Sequence, residues 1–398
     1  MKNHLQLGKE LDLFIQSPTV GKGLPLLTEK GNCIKRSMIK LVEELEEKNG
    51  YLLTSTPLMA SKNLYEISGH WDLYKEDMFV LEAGPEDYYA LRPMTCPFQF
   101  QLYLRKKHSY KELPIRYSET STLFRNEPTG SIHGLNRIRQ FTLSDGHIIC
   151  RFDQIEKEFL NCLDIINTIM AKLDFKNFWF RFSTRDPQKK NKYIENDSAW
   201  EKSESLLKSF LVKHNISYSD GKGEAAFYGP KLDIQMKDAE GREETLFTLQ
   251  LDFALAERFG MTYTDENNKE EHPYIIHRSS IGCYERTLAH LLEIHQGALP
   301  FWLMPTQIMI IPVNDKHLDY ALKVQDFLTD SKFRVEIDKR TETLGKRIRE
   351  AVKIRTPYLI IIGEKEIATK TINVRKRGQK DSTQITLDQF KQMLKNQY

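Results

Sequence analysis

The stretch LFTLQLDFA, Leu246–Ala254, leaves a chain few choices. Phe247, Leu249, Leu251 and Phe253 alternate with Thr248, Gln250 and Asp252. Successive side chains of a strand point to opposite faces, so this segment is a strand with one core face and one polar face. A longer stretch departs from that rule. FRNEPTGSIHGLNRIRQFTLSDGHIIC, Phe124 to Cys150, reads as two arms joined by a Pro/Gly loop. Arg125 and Glu127 share a face of the first arm. Arg137, Arg139, Phe141, Leu143, Asp145 and His147 share a face of the second if the strand is unbulged. Gln140, Thr142 and Ser144 lie opposite and offer no apolar core either. An arginine grips phosphate or carboxylate with two parallel hydrogen bonds. A phenylalanine stacks on a base, and a glutamate accepts from an exocyclic amine. Those parts suit a nucleotide, but they equally suit an exposed, salt-bridged hairpin at a sheet edge.

The rest of the chain supplies helices and a change of texture. Ile34, Met38, Leu41, Val42 and Leu45 follow helical spacing, with Gly50 as the stop. YLLTSTPLM reads as a short strand carrying Pro57, hence an edge or an interface. EKEFLNCLDIINTIMAKL is a second amphipathic helix, followed by a polar insertion and another helix through SAWEKSES. SSIGCYERTLAHLLEIHQG reads as a helix with Ile281, Tyr284, Leu288, Leu291 and Leu292 as its stripe, Arg286 off it and Gly297 as C-cap. Beyond Leu299–Pro305, strands alternate with helices: strand 307–312, helix 318–328, strand 333–337, helix 344–354, strands 358–362 and 371–374, and a last helix. That order implies a small mixed α/β domain. The expected domains are 1–300 and 305–398.

Composition excludes several classes. The 398 residues carry a net charge of +3 with 28% charged side chains, so bulk charge does not announce nucleic acid. Five scattered cysteines without a CxxC pair argue against a secreted disulfide scaffold and for a reducing interior, cytoplasm or organelle matrix. No apolar run is long enough to span a membrane, and the N-terminus has no signal-peptide pattern.

GHWDLYKEDMF, LRPMTCP, the hairpin above, AFYGPKLDI, LQLDF and IIHRSSIGCYER occur in this order. Together they resemble the class II aminoacyl-tRNA synthetases, specifically the threonyl-tRNA synthetase family. VEIDKRTETLGKRIREAVKIRTPYLIIIGEKE with INVRKRG resembles that family's anticodon-binding domain. The resemblance implies an α+β fold: an antiparallel sheet flanked by helices, then an α/β domain with a mixed sheet. It implies threonine activation by ATP with Mg²⁺, and transfer to the 3′ end of tRNA(Thr) by a homodimer. Arg125 would hold the α-phosphate and substrate carboxylate, Glu127 the adenine amine, Phe141 the adenine face and Arg286 the γ-phosphate. Arg137 matches a further ATP-site arginine, and Pro57 would lie at the dimer interface. One Zn²⁺ per subunit would be held by Cys96, His147 and His277, leaving room for the amine and hydroxyl of L-threonine. Asp145, Tyr228 and Gln250 match substrate-pocket positions, and Arg355, Glu366 and Arg375 match anticodon-contacting ones.

Taken singly, Cys96 also reads as a buried core thiol, His147 and His277 as core histidines, and the anticodon set as solvated charge. The chain departs from the family at Leu143, often glutamine, at Phe98 and Gln99, where Gly-His is common, and at Cys283, often serine. It begins almost at the catalytic region, which leads us to expect no editing domain in cis and a separate trans-editing protein for mischarged serine. A non-charging regulatory RNA-binding relative and a class II enzyme for proline or serine remain alternatives.

Overall fold

The computed structural model describes residues 1–395. An eight-stranded sheet contains, in chain order, β1 (Leu52–Leu53), β2 (Ile115–Phe124), β3 (Gln140–Cys150), β4 (Trp179–Thr184), β5 (Tyr218–Lys222), β6 (Lys231–Lys237), β7 (Glu243–Asp252) and β8 (Tyr274–Cys283). Across the sheet the order is β5-β4-β6-β7-β8-β3-β2-β1. Pairing is antiparallel throughout the body and parallel only in the two outermost pairs, β5 with β4 and β1 with β2. The arms of the hairpin are β2 and β3, and both lie inside the sheet rather than at its edge.

The main helices before residue 300 are α1 (His4–Glu10), α2 (Glu29–Lys48), α3 (Cys96–Leu104), α4 (Ile155–Leu173), α5 (Asp197–Lys213) and α6 (Tyr284–His295). In α4, Glu156 and Glu158 sit in the first turn and Lys172 in the last, each complementing the helix dipole. Phe159, Ile166, Met170 and Leu173 are fully buried along one stripe. Its isoleucines cost a few tenths of a kcal/mol each in helix propensity, whereas burying such a side chain returns about 1.5–3 kcal/mol. Packing decides this helix.

The face of β3 opposite the hairpin's ligand row is not the exposed surface its polarity implies. Thr142 and Ser144 are buried, Ser144 against Glu46 of α2 and Thr142 with its N–H on Glu285 Oε2 at 2.8 Å. The Glu46 carboxylate pairs with Arg278 of β8 and accepts hydrogen bonds from Ser118 Oγ at 2.6 Å and Ser144 Oγ at 2.9 Å. The result is a polar core. Gly146 belongs to it, since a Cβ there would come within 2.6 Å of the Arg278 guanidinium.

Two elements differ from the pattern-based expectation. Pro57 is not within a strand. Only Leu52–Leu53 pair with β2, and Met59–Ser61 joins a separate three-stranded sheet with Val80–Gly84 and Asp87–Leu91. Proline has no N–H to offer a ladder, and the pairing stops on either side of it. Ser279–Cys283 complete β8, and the helix starts only at Tyr284. Gly282 makes this possible: its φ is +69°, and a Cβ would meet the Leu246 carbonyl oxygen at 1.8 Å. The irregularity puts Cys283 opposite Leu143.

Contacts divide the chain less simply than one cut between 300 and 305. Residues 16–25 and 38–290 form one compact unit; residues 1–15, 26–37 and the chain from Leu291 form the other. The cause is α1. His4 Nδ1 lies 2.6 Å from a Glu293 carboxylate oxygen, and Glu10 pairs with Arg355 at 3.2 Å.

The C-terminal sheet contains β9 (Ile308–Pro312), β10 (Val335–Ile337), β11 (Tyr358–Ile362), β12 (Ile372–Lys376) and β13 (Thr383–Ile385), in the order β10-β9-β11-β12-β13. It is mixed: β9 runs parallel to β10 and β11, and the rest is antiparallel. Alternation splits its strands. Ile308, Ile310, Tyr358 and Ile360 pack with Val324, Leu328 and Phe390 of helices Leu318–Asp330 and Leu387–Lys395. Met309, Ile311 and Leu359 pack on Ala351 of helix Leu344–Lys353. The short β13 and the six-residue helix Glu364–Thr369 carry too little pattern to be read beforehand.

Candidate functional site

The polar face of the large sheet floors a cavity of about 310 Å³. Its floor is built by register. Lys231 on β6 pairs with Gln250 on β7, Gln250 with His277 on β8, and His277 with His147 on β3. Directly paired residues share a face, so four polar side chains from four strands form one row. Phe141, Leu143 and Asp145 line the same cavity from β3, with Arg125 and Glu127 beyond the end of β2 and Arg286 from α6.

Cys96, at the start of α3, closes over this row. Its Sγ and one nitrogen from each of His147 and His277 lie within 4.8 Å of one another, and all three residues are buried. The remote nitrogens are engaged: His147 Nδ1 with Gln99 Oε1 at 2.7 Å, and His277 Nε2 with Asp252 Oδ2 at 2.7 Å. An amide oxygen and a carboxylate only accept. A ring in its neutral form therefore carries its hydrogen on the bonded nitrogen and leaves the other nitrogen bare. Tautomers fixed this way are what a metal-binding histidine needs, and a thiolate with two imidazoles suits zinc. The donor set fits such an ion.

Burial sets the electrostatics. It pushes the Cys96 thiol well above its ordinary range, with the Asp145 and Asp252 carboxylates adding to the effect. A coordinated divalent cation reverses this and deprotonates a thiol outright. Burial, then the nearby His277 and Arg278, holds His147 well below the usual imidazole range. Burial raises the Asp145 carboxyl, against the hydrogen bonds from Thr95, whose N–H is 3.1 Å away. Tyr228 stacks on the His277 ring at 4.6 Å and donates to Gln250 Oε1 at 2.6 Å.

The nucleotide-like half of the cavity is basic. The Arg125 guanidinium stands 5.2 Å from the centre of the Phe141 ring, and its buried Nε has no hydrogen-bond partner among the described residues. Glu127 is paired with Arg137 at 2.7 Å. Arg286 donates to the carbonyls of Asn136 at 3.0 Å and Thr245 at 2.6 Å, bridging the hairpin loop and β7. Arg139 does not join the row. It precedes the first strand residue, and its Nε turns to the Glu127 carbonyl at 3.1 Å.

Residues 79–295 match the family model of the class II tRNA synthetase core domain (G, H, P, S and T), and residues 307–397 match an anticodon binding domain. The chain belongs to the class II aminoacyl-tRNA synthetases. It is 51% identical, over its whole length, to a threonine–tRNA ligase of Clostridium botulinum, and 46% identical over 98% of its length to one of Listeria monocytogenes. It covers 62% and 61% of those proteins, so it spans about three fifths of the length of these curated relatives. The crystal structure of the RNA binding domain of threonyl-tRNA synthetase from Cryptosporidium parvum superposes with a TM-score of 0.94 at 33% identity, covering 100% of this chain and 98% of that one. This places the chain with the threonyl-tRNA synthetases within the class. A prolyl-tRNA synthetase of Giardia lamblia shares the fold, with a TM-score of 0.78 at 19% identity, covering 98% and 74% of the two chains.

The second domain of the family carries the remaining expected residues, and they do not converge. Arg355, with φ +62°, and Glu366 lie beyond opposite ends of β11. Arg355 is held by Glu10, and Glu366 Oε2 accepts the Gly363 N–H at 2.9 Å as a cap on its own helix. Arg375 pairs with Leu359 across the sheet, and its guanidinium makes no hydrogen bond among the described residues.

Several residues that shape the site escaped sequence reasoning. Asp252 was readable as polar-face, but its bond to His277 depends on the β7–β8 register. Gln99 lies in a run, Cys96–Phe100, that is buried at every position of the first turn of its helix. His70 is buried with Nδ1 on Ser68 Oγ at 2.7 Å and no partner for Nε2 among the described residues, and nothing in GHWDLY signals that state.

Proposed function

We propose that this chain is a threonine–tRNA ligase, converting L-threonine and ATP to threonyl-adenylate and passing the threonyl group to the 3′ end of tRNA(Thr). The observation that carries the reading is the meeting of Cys96, His147 and His277 with Asp145 in one cavity that also holds Arg125. A zinc ion bound by the three donors would offer open positions to the substrate amine and hydroxyl. Asp145 then accepts the hydroxyl hydrogen. Valine, nearly the same shape, has no hydroxyl to give that carboxylate or to fill the open position, and sites built to bind a hydroxyl reject the analogue strongly. Tyr228 and Gln250 fix one wall through their mutual hydrogen bond.

In the first step the threonine carboxylate attacks the α-phosphorus, and pyrophosphate leaves with its Mg²⁺. Arg125, which lines the cavity, meets the charge growing on the α-phosphate. Phe141 supports the adenine, Glu127 and Arg137 its edge, and Arg286 the γ-phosphate. Held donors of this kind supply most of what phosphoryl chemistry requires. In the second step the tRNA ribose 3′ hydroxyl attacks the adenylate carbonyl, releasing AMP. We assign catalysis to residues 1–300 and tRNA anticodon reading to 305–398, with Arg355, Glu366 and Arg375 as its contacts in that reading. Exposed Leu52, Leu53, Leu58 and Met59 at the β1 edge support a homodimer. No helix among the described residues is long and apolar enough to cross a membrane, and we place the protein in the cytoplasm.

ATP–pyrophosphate exchange across a panel of amino acids, with zinc content measured alongside, tests the reading. Exchange with threonine far above valine, and about one zinc per chain, is expected. Preference for proline, no exchange with any amino acid, or absence of zinc overturns it.

A further inference from the structure

We propose that Gln99 is a positioning residue of the metal centre, and that Thr54, at the sheet edge, dictates which way its amide faces. The inference rests on the metal-binding reading above and deepens it. Gln99 is fully buried, so water offers its amide no alternative partner. Its Nε2 lies 2.9 Å from Thr54 Oγ1, and its Oε1 lies 2.7 Å from His147 Nδ1.

The direction of every hydrogen in this chain is forced from its outer end. Thr54 Oγ1 stands 3.1 Å from the Ser118 carbonyl oxygen and 3.3 Å from Glu119 Oε2. Glu119 is itself paired with Arg92 at 2.8 Å. Both neighbours only accept, so the threonine hydroxyl gives them its one hydrogen and turns a lone pair to Gln99. The amide must then present NH₂ to Thr54 and oxygen to His147. The oxygen takes the Nδ1 hydrogen, and Nε2 is left bare in the cluster with Cys96 and His277, 3.8 Å from Asp145 Oδ1. A reversed amide would put a hydrogen on Nε2 and close that coordination position. His277 is braced instead by the carboxylate of Asp252, so the two imidazoles are unequal. The ring backed by a neutral amide is the weaker donor, and its orientation depends on a segment of the sheet edge, two residues beyond Leu52.

Zinc affinity of the full chain, measured by competition with a chelator, tests this in wild type, Gln99→Leu, Thr54→Val and Thr54→Ser. The visible spectrum of the Co²⁺-substituted protein reports the ligand field directly. Gln99→Leu should lose roughly 10–100-fold in affinity, the usual cost of removing such a partner. Thr54→Val, which leaves His147 and Gln99 in place, should weaken binding in the same direction and alter the Co²⁺ spectrum. Thr54→Ser keeps the hydroxyl and should match wild type. Denaturation midpoints of the metal-free proteins separate loss of metal from loss of fold. Should Gln99→Leu not fold, the Thr54 pair decides alone. If wild type binds neither zinc nor Co²⁺, the metal-centre reading falls and this inference with it. If wild type binds both, and Gln99→Leu and Thr54→Val bind equally well with unchanged spectra, only the positioning role is overturned.

Discussion

Replacing Glu46 by alanine removes a buried carboxylate beneath two strands that carry proposed metal ligands. Glu46 and Arg278 are each 2% exposed. Burial works against the Arg278 charge, but Glu46, Tyr51 and Cys162 hold its pKa above the ordinary value. The guanidinium lies 4.1 Å from the Tyr51 ring and donates to Ser280 Oγ at 2.7 Å, while its Nε and Nη2 have no hydrogen-bond partner among the described residues. Glu46 therefore provides most of the compensation. Breaking a buried pair by deleting one member costs about 3–5 kcal/mol. The Ser118 and Ser144 hydroxyls lose a charged acceptor as well, at ~1 kcal/mol each, which puts Glu46→Ala at roughly 5–7 kcal/mol overall. That is a large share of the ~5–15 kcal/mol a domain has. Urea denaturation followed by circular dichroism gives the measurement. Glu46→Gln, which keeps an acceptor but not the charge, should fall between. Glu46→Leu with Arg278→Met removes both charges and should recover most of the loss, since apolar replacement of a buried pair is often neutral. A cost below ~1 kcal/mol for Glu46→Ala would refute the view that this pair clamps the sheet.

Other outcomes follow from the same geometry. Arg125→Ala should lower the rate of threonine-dependent ATP–pyrophosphate exchange by ~10²–10³, as loss of one preorganised donor does, and an unchanged rate would remove Arg125 from the chemistry. Serine keeps the amine and hydroxyl and lacks one methyl, worth ~1–3 kcal/mol, so this chain assayed by itself should favour threonine over serine only ~10–200-fold in charging. A ratio above roughly 10⁴ would mean a discriminating contact this site does not contain. Burial first, then His277, Arg258 and Arg125, lowers the pKa of His70 from 6.5 to about 3. Below 6.5 the unfolded ring takes up a proton that the folded one refuses until about 3, so the unfolded state binds more protons and stability falls as pH drops through that window. His70→Gln should flatten this slope in urea midpoints taken across the window, and an unchanged slope would contradict the buried neutral ring.

What the sequence disclosed and what it withheld divide along one physical line. A two-residue period puts Phe141, Leu143, Asp145 and His147 on one face whatever the neighbouring strands do, and those four side chains do line the cavity. Gln250 was likewise assignable to a polar face from its own segment. Register between strands is a different kind of information. That Lys231, Gln250, His277 and His147 form one row depends on the offsets of three strand pairs, and no property of any single strand states an offset. Cys96 and His277 could be joined to His147 only through family resemblance for that reason. The misreadings have the same origin. Thr142 and Ser144 offer no apolar core by local pattern, but both are buried, and α2 arrives with Glu46 to make the Ser144 hydroxyl part of a polar core. Arg139 keeps the period of the row yet stands one residue before the strand begins, where the chain already turns toward Gly23, whose carbonyl accepts its N–H at 2.8 Å. Gln99 is the sharpest instance. Its neighbours in sequence make an apolar helix, and its meaning comes from Thr54, forty-five positions away. The residues that tune the proposed ligands are thus less legible than the ligands themselves, because a ligand is named by its own chemistry and a positioning residue only by its partner's.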